Sequence, residues 1–408
     1  MKLFLHAHAT HPDWRAALAL AQVQLEAQHR RPDHIEVPTL GWLYLTDHYA
    51  AQAEALLGAL KEAWPGVVWV GSVGVGIAAN GVEYFNEPAL SVMLSDIPAA
   101  HFRVFSGVQP LSAQPGFVPD CALVHADPAA QDATELIAEL ADHMASGCLF
   151  GGLASSRKRT LHIAKDVFTG GLSGVAFDAQ VPLISRVTQG CQPIGMVRRI
   201  TESDRNLVIS LDGEPALDCL MRDLKAEVME PRAAMPLLRG TLVGLSDSGD
   251  AQLRGSSFGV ETRVRHLIGI EPAKHGIAIA DTVETGMQLA FCQRNTEAAR
   301  RDLVRLCAEI REELEPDTLP LETAMALHGG EADSAPHPAR QIAGAVYISC
   351  AGRGGPHFGA PSAELALIRH ALGDVPLVGF FANGEIAHRH LYGYAGVLTV
   401  FTAGPAFV

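Results

Sequence analysis

The chain is short of positive charge. Its 31 lysines and arginines face 45 aspartates and glutamates, which leaves a formal net charge of −14 over 408 residues. A protein that grips nucleic-acid backbones normally presents a basic face that displaces counterions, so nucleic acid is not an expected partner. Paired-cysteine signatures are also missing. The seven cysteines, at 121, 148, 191, 219, 292, 307 and 350, include no C-x-x-C. A disulfide framework and a zinc ribbon are therefore both unsupported, and the thiols read as buried and free in a reducing compartment. Long apolar runs are absent too. The opening Met1–Leu5 run is too short for a signal peptide. The charge-free stretch Ala63–Val82 is broken by Pro65 and by glycines 66, 71, 74, 76 and 81, so it reads as a buried strand and a turn, not a membrane span. A cytoplasmic protein with no membrane association is the expectation.

Several familiar motifs fail on inspection. No G-x-x-x-x-G-K-[ST] occurs. Gly71-Ser-Val-Gly-Val-Gly76 has G-x-x-G-x-G spacing where a dinucleotide fingerprint needs G-x-G-x-x-G opening a helix. Neither ATP nor NAD is expected, and no cofactor is assigned. Gly255-Ser-Ser-Phe-Gly259 spells G-x-S-x-G, but polar residues precede it and a strand-like alternation follows. A nucleophile elbow needs a strand before and a helix after, so no catalytic serine is assigned. His6-x-His8 and His388-x-His390 each place two histidines on one face of an extended segment. A metal site needs further ligands, and hydrogen-bonded, partly buried histidines are the simpler reading. A metal-dependent or cysteine hydrolase, using His6 and His8 or Cys350, stands only as an alternative.

What is present is an α/β pattern. Hydrophobic residues make up 48% and charged residues 19% of the chain, enough for a large core and two to three domains. Helical spacing and start signals predict helices over 12–30, 49–63, 129–145, 216–229, 296–314 and 362–373. β-rich runs predict strands at 41–46, 67–72, 89–95, 120–125, 172–177, 206–211, 240–245, 262–268, 343–350, 375–381 and 396–402. Three segments share one plan: apolar strand, polar or thiol residue, helix, second apolar strand, then a glycine turn. Asp47 to Gly71 and Asp127 to Gly151 are each 24 residues, and Cys350 to Gly379 is 29. Such β-α-β crossovers imply parallel strands, with Asp47 beside Gly71, Asp127 beside Gly151 and Cys350 beside Gly379. Mixed sheets flanked by helices are expected, in two lobes at 1–213 and 214–408. The segment His328–Arg340 is the best linker candidate inside the second.

Open α/β sheets bind ligands at the carboxyl ends of their strands. The sharpest candidate is Cys350-Ala-Gly352-Arg353-Gly-Gly355. Its glycines let the backbone approach a ligand, its amides can form an anion nest, and Arg353 is a planar donor suited to carboxylate or phosphate. Asn383-Gly384 is a turn signal between apolar runs, with Glu385 just beyond it to meet an ammonium group. Gly152, Ser155, Ser156 and Arg157 form a third cluster, and Gly71 with Ser72 a fourth; Asp47 and Asp127 add carboxylates at two strand ends. The bland alternatives are a hairpin turn at Asn383 and a solvated basic run at 157–159.

Cys350-Ala-Gly-Arg-Gly354 before a helix, then Pro376-Leu-Val-Gly-Phe-Phe-Ala-Asn-Gly-Glu-Ile386, resembles the C-terminal half of FIST proteins. The N-terminal half is similar in Gly71–Gly76, Gly151-Gly-Leu-Ala-Ser-Ser-Arg157, Phe168-Thr-Gly-Gly-Leu-Ser-Gly174 and Thr188-Gln-Gly-Cys-Gln-Pro-Ile-Gly195, and closes in Leu211-Asp-Gly-Glu-Pro-Ala-Leu217. Val264-Arg265 with Leu267-Ile-Gly-Ile270 resembles the start of the C-terminal region. The resemblance implies an intracellular sensory domain that binds a small molecule, with amino acids the suggested class. Relatives are often joined to signalling domains. No kinase, methyl-accepting or cyclase region is read here, so any signal is expected to pass to a separate partner protein. One eukaryotic relative is an F-box substrate receptor, which keeps a protein-interaction module as an alternative. The resemblance carries over no catalytic residues.

Overall fold

The computed structural model describes residues 2–112, 116–226, 229, 237–238, 240–247, 262–314 and 342–402. The G-x-S-x-G at 255–259 and the linker candidate at 328–340 lie outside the described residues. The chain divides into two compact units. The first comprises Met1–Val187, Leu303–Leu391 and Ala395–Val408, and the second Thr188–Asp302 with Tyr392–Tyr394.

Unit one is built three times over. The first pass runs β1 (Leu5–Thr10), α1 (Trp14–His29), β2 (Leu40–Thr46), α2 (Ala53–Ala63), β3 (Val68–Gly74), β4 (Gly76–Ala79), β5 (Val82–Phe85) and β6 (Ala89–Ser95). The second runs β7 (Phe102–Ser106), β8 (Cys121–Ala126), α3 (Ala133–Asp142), β9 (Cys148–Leu153), β10 (His162–Ala164), β11 (Asp166–Phe168) and β12 (Leu172–Phe177). The third opens with β13 (Leu183–Gln189). Then comes the second unit, with β14 (Cys191–Pro193), β15 (Arg198–Asp204), β16 (Leu207–Leu211), β17 (Glu214–Pro215), α4 (Ala216–Asp223), β18 (Leu242–Ser246), β19 (Arg263–Glu271), β20 (Gly276–Ile279) and β21 (Gln288–Arg294). The third pass resumes with α5 (Thr296–Glu313), β22 (Ile342–Cys350), α6 (Ala363–Leu372), β23 (Leu377–Ala382), β24 (Glu385–Ala387), β25 (His390–Tyr392) and β26 (Ala395–Thr402).

The three six-stranded sheets have matching orders: β1-β6-β2-β3-β10-β11, β7-β12-β8-β9-β24-β25 and β13-β26-β22-β23-β4-β5. Each has a central parallel pair joined through a helix, an antiparallel strand beside the first member, and a two-stranded ribbon beside the second. The ribbons are exchanged in a cycle. The ribbon that follows β3 adds to β23, the one that follows β9 adds to β3, and the one that follows β23 adds to β9. The Asn383-Gly384 step is therefore not a hairpin turn; it carries the chain from one sheet to the next.

Burial follows this architecture. Strands β2, β6, β8 and β23 are buried along their whole length, as expected of strands covered on both faces. Trp42, Phe177 and Phe401 come from the three sheets in turn and meet at ring separations of 5.4 and 5.7 Å around Phe401. Helix α1 starts where the Asp13 carboxylate accepts the Arg15 amide, and it packs through Ala17, Leu18, Ala21 and Leu25.

In unit two the antiparallel strands run β21-β15-β16-β20-β19-β18, and β18 pairs back to β21. The sheet thus closes on itself, which removes its edges. Ile200, Val208, Val243, Ile277, Leu289 and Phe291 fill it, with Cys219 and Leu220 of α4 in the same core. The helix expected over 216–229 ends at Asp223 because Lys225 takes a left-handed conformation, φ 55°.

Candidate functional site

The three parallel pairs share one register. Leu43 faces Gly71, Val124 faces Gly151, and Tyr347 faces Gly379. A Cβ on these glycines would stand 1.8, 1.9 and 1.7 Å from the carbonyl oxygens of Leu43, Val124 and Tyr347. The glycines are close-approach points in mid-strand, not turns. This corrects the expected neighbours. The strands continue two or three residues further, so Thr46 pairs with Gly74, Ala126 with Leu153, and Cys350 with Ala382. Asp127 and Cys350 hold the same register place at their strand ends and Asp47 lies one residue beyond it, but none stands beside its glycine.

The chain beyond the glycines converges. The Ser155 amide donates to the Val73 carbonyl at 3.4 Å and the Asn383 amide to the Leu153 carbonyl at 3.0 Å. By the same repeat, Val75 would bond Phe381. Instead the Ser155 hydroxyl accepts the Val75 amide at 2.9 Å and donates to the Phe381 carbonyl. Below, Tyr44, His125 and Phe380 pack together, and the Tyr44 hydroxyl lies 3.2 Å from His125 Nε2. Burial pushes the His125 imidazole down to about 3, with the nearby His162 adding to it. Gly71, Ser72, Gly152 and Ser155 are buried at this convergence. Their amides and hydroxyls serve strand pairing and one another.

The three strand ends differ in chemistry. At the first, Asp47 is 2% exposed and accepts the Arg157 amide (2.8 Å), Nε (2.9 Å) and Nη2 (2.7 Å). Burial raises the Asp47 pKa, but the Arg157 donors together outweigh it and hold the carboxyl below its ordinary value. Arg157 also donates to Asn86 at 2.6 Å, and Ser156 accepts the Lys158 amide at 3.0 Å. At the second end, buried Asp127 accepts the Ala129 amide (2.8 Å), the Gly170 amide (2.9 Å) and the Thr160 hydroxyl (3.2 Å). Two carboxylates foreseen as ligand groups are thus met by the protein's own donors.

At the third end a thiol takes the register place that Asp127 has at the second. Cys350 is half-buried, and the flanking Gly352 and Asn383 are exposed. Beneath them Glu385 is fully buried; its Oε2 accepts the Ala395 amide at 3.0 Å, while Oε1 has no hydrogen-bond partner. Burial raises this carboxyl to about 8, against the pull of the Ala395 amide, Arg353 and Cys350. Arg353 is also inside, 1% exposed. Its Nε and Nη2 donate to Glu364 Oε1 at 2.9 and 2.6 Å. Glu364 accepts Tyr347 Oη at 2.6 Å and Ser349 Oγ at 3.0 Å as well. Burial alone would lower the Arg353 pKa; the Glu364 charge more than reverses this, so the guanidinium stays protonated. The loop is pinned further by the Gly355 amide, which donates to Glu83 at 2.9 Å. Glu364 and Glu83 carried no sequence signal, since one sits in a helix and the other in a short ribbon.

A separate groove of about 310 Å³ lies beside β3 and β7, lined by Val68, Phe102, Arg103, Gln109, Leu111 and Lys165. Arg103 donates there to the Ala99, Ala100 and Phe102 carbonyls and stands 4.6 Å over the Phe117 ring. Nothing in the sequence pointed to it. Among the described residues, no cluster of three or more His, Cys, Asp or Glu side chains is placed to hold a metal ion. No described helix is long and apolar enough to cross a membrane.

The FIST N domain profile matches residues 39–214 and the FIST C domain profile matches 216–388. The chain belongs to the FIST family. FIST domains are associated with sensing and signal transduction. The FIST N match carries the Asp47 and Asp127 ends, and the FIST C match carries the Cys350 end, so the family's two halves complete one threefold architecture. "Uncharacterized protein Rv0628c" of Mycobacterium tuberculosis (strain ATCC 25618 / H37Rv) is 30% identical over 409 residues, covering 96% of this chain and 98% of that protein. "Uncharacterized protein Mb0898c" of Mycobacterium bovis (strain ATCC BAA-935 / AF2122/97) is 28% identical over 399 residues, covering 93% and 95%.

Proposed function

We propose that this FIST protein is a sensor that binds a small polar ligand of the amino-acid type at the Cys350 strand end. One observation carries the reading. Of three equivalent strand ends, two are closed by a carboxylate that the protein's own amides, hydroxyl and guanidinium occupy, and the third carries a half-buried thiol between the exposed Gly352 and Asn383. A ligand carboxylate would take the glycine-loop amides and the Asn383 side chain, and a ligand amine would face Cys350 and Glu385. Arg353 acts here as a positioning residue, which holds the loop through Glu364. Hydrogen bonds to charged groups contribute about 1.5–3 kcal/mol each, so three or four of them with some apolar burial reach the ~8 kcal/mol of a micromolar complex. The sensed state would pass to a separate protein.

A thermal-shift screen against the amino acids and small carboxylates tests this, because a ligand that binds only the folded state raises Tm. The expected result is a rise that Asn383→Ala and Cys350→Ala remove and Lys165→Ala leaves intact. No rise with any compound sinks the reading. So does a rise lost only in Lys165→Ala, which would place binding in the groove beside β3.

A further inference from the structure

Strands β8 and β9 are parallel neighbours, and Cys121 is directly opposite Cys148. Directly opposed residues project to one face of the sheet. Neighbouring strands lie about 4.8 Å apart, inside the Cα separation of about 4.4–6.8 Å that a disulfide spans. The two thiols are close enough for each to shift the other's pKa. They are also unequal. Cys121 is 2% exposed, while Cys148 is partly open to solvent where β9 begins. Cys121 lowers the Cys148 pKa, Arg186 assists, and burial and Asp120 oppose. Burial, with Cys148 adding to it, pushes Cys121 well up. The thiolate is the reactive form of cysteine, so the accessible member of the pair is also the better nucleophile.

We propose that Cys121 and Cys148 are a redox-active dithiol, which a hydroperoxide closes to an intramolecular disulfide. The Cys148 thiolate attacks the peroxide oxygen. An S–O bond forms, the O–O bond breaks, and the alkoxide or hydroxide leaves with a proton, giving a sulfenic acid. The Cys121 sulfur then attacks the Cys148 sulfur. The S–S bond forms, the S–O bond breaks, and the departing hydroxide takes the Cys121 proton as water. Two thiols give up two electrons, and one hydroperoxide becomes an alcohol, or water, plus one water. A second thiol pair supplies the contrast. Cys191 also lies near enough to Cys292 to raise its pKa, but the two are 5% and 0% exposed, which denies a peroxide its approach.

The reduced full-length chain, freed of reductant and treated with hydrogen peroxide, should fall from seven titratable thiols to five under denaturing conditions. Peptide mapping without reductant should join the Cys121 and Cys148 peptides. Cys148→Ser should slow thiol loss at least tenfold. Cys121→Ser should leave a Cys148 sulfenic acid that a cyclic 1,3-dione traps, and Cys191→Ser should still lose two thiols. Retention of all seven thiols, a bridge at Cys191–Cys292, or oxidation of Cys148 without bridging in the wild-type chain overturns the proposal. The wild-type mapping needs no variant, so a misfolded substitution leaves the test intact.

Discussion

Ser155 donates its hydroxyl hydrogen to the Phe381 carbonyl across the point where the three repeats converge. The same oxygen accepts the Val75 amide, so one side chain stands in for the backbone bond the repeat would otherwise make. Ser155→Ala leaves a carbonyl and an amide without partners in a largely closed setting. An unsatisfied buried group costs about 1–3 kcal/mol. Urea unfolding should show a loss in that range; a change below about 0.5 kcal/mol would mean that the bridge contributes nothing.

The glycines opposite Leu43, Val124 and Tyr347 permit a sharper comparison. Gly71→Ala, Gly151→Ala and Gly379→Ala each force a methyl into a carbonyl oxygen of the neighbouring strand. Each should cost more than about 4 kcal/mol or abolish folding. Gly58→Ala, in helix α2 with nothing within 4 Å of the added carbon, should instead stabilise by about 0.5–1 kcal/mol. Melting temperatures of the four variants decide it, and similar values for Gly58→Ala and Gly379→Ala would refute the register.

The buried Arg353–Glu364 pair should show the asymmetry of desolvated charges. Glu364→Gln strips the countercharge from an enclosed guanidinium and should cost about 3–5 kcal/mol. The paired change Arg353→Met with Glu364→Leu should cost markedly less, since no lone charge remains. Chemical unfolding of both variants reads the difference; equal losses would count against a desolvated pair.

Glu385 should tilt the pH profile of stability. Its carboxyl is raised from 4.5 to about 8 in the folded protein. Between those values the folded state keeps a proton that the unfolded chain has released. The contribution is fully present below 4.5 and is lost as pH rises towards 8. His125 and His6, lowered from 6.5 to about 3 and about 4, work the other way: the stability they contribute above pH 6.5 is lost as pH falls. Other imidazoles lowered by desolvation, His8, His162 and His266 among them, still act in the opposite sense at the lower end of the range from 6.5 to 8, so the carboxyl's own slope, at most about 1.4 kcal/mol per pH unit, is read as the difference between wild type and Glu385→Gln. Glu385→Gln should flatten that slope in a denaturation series, and an unchanged slope would assign it elsewhere.

Much of the threefold plan was legible. Short unbroken apolar runs and helical spacing placed β2, β3, β8, β9, β22, β23 and their helices within a few residues, because strands buried on both faces are apolar throughout and amphipathic helices leave a 3.6-residue period. The register was not legible. Gly71, Gly151 and Gly379 read as turns, since a residue chosen for close backbone approach looks the same in sequence as one chosen for a bend. The exchanged ribbons were lost for another reason: three-residue strands such as β10 and β24 are too short to show alternation. At the candidate site, Cys350, Gly352, Asn383 and Glu385 were marked by glycines around a strand end. That Asp47, Asp127 and Arg157 are occupied internally depends, apart from the local Ala129 amide, on contacts across 33 to 110 positions, which no local pattern encodes.

Strand β26 lies in the interior of its sheet, between β13 and β22, although it is the last strand in the described chain. A ribosome therefore cannot hand over unit one piece by piece. Sheet three stays split until residues near 402 have been synthesised, and its ribbon β4–β5, made some 300 positions earlier, must wait for β23. A nascent chain halted before Ala395 would leave β22 with one side unpaired.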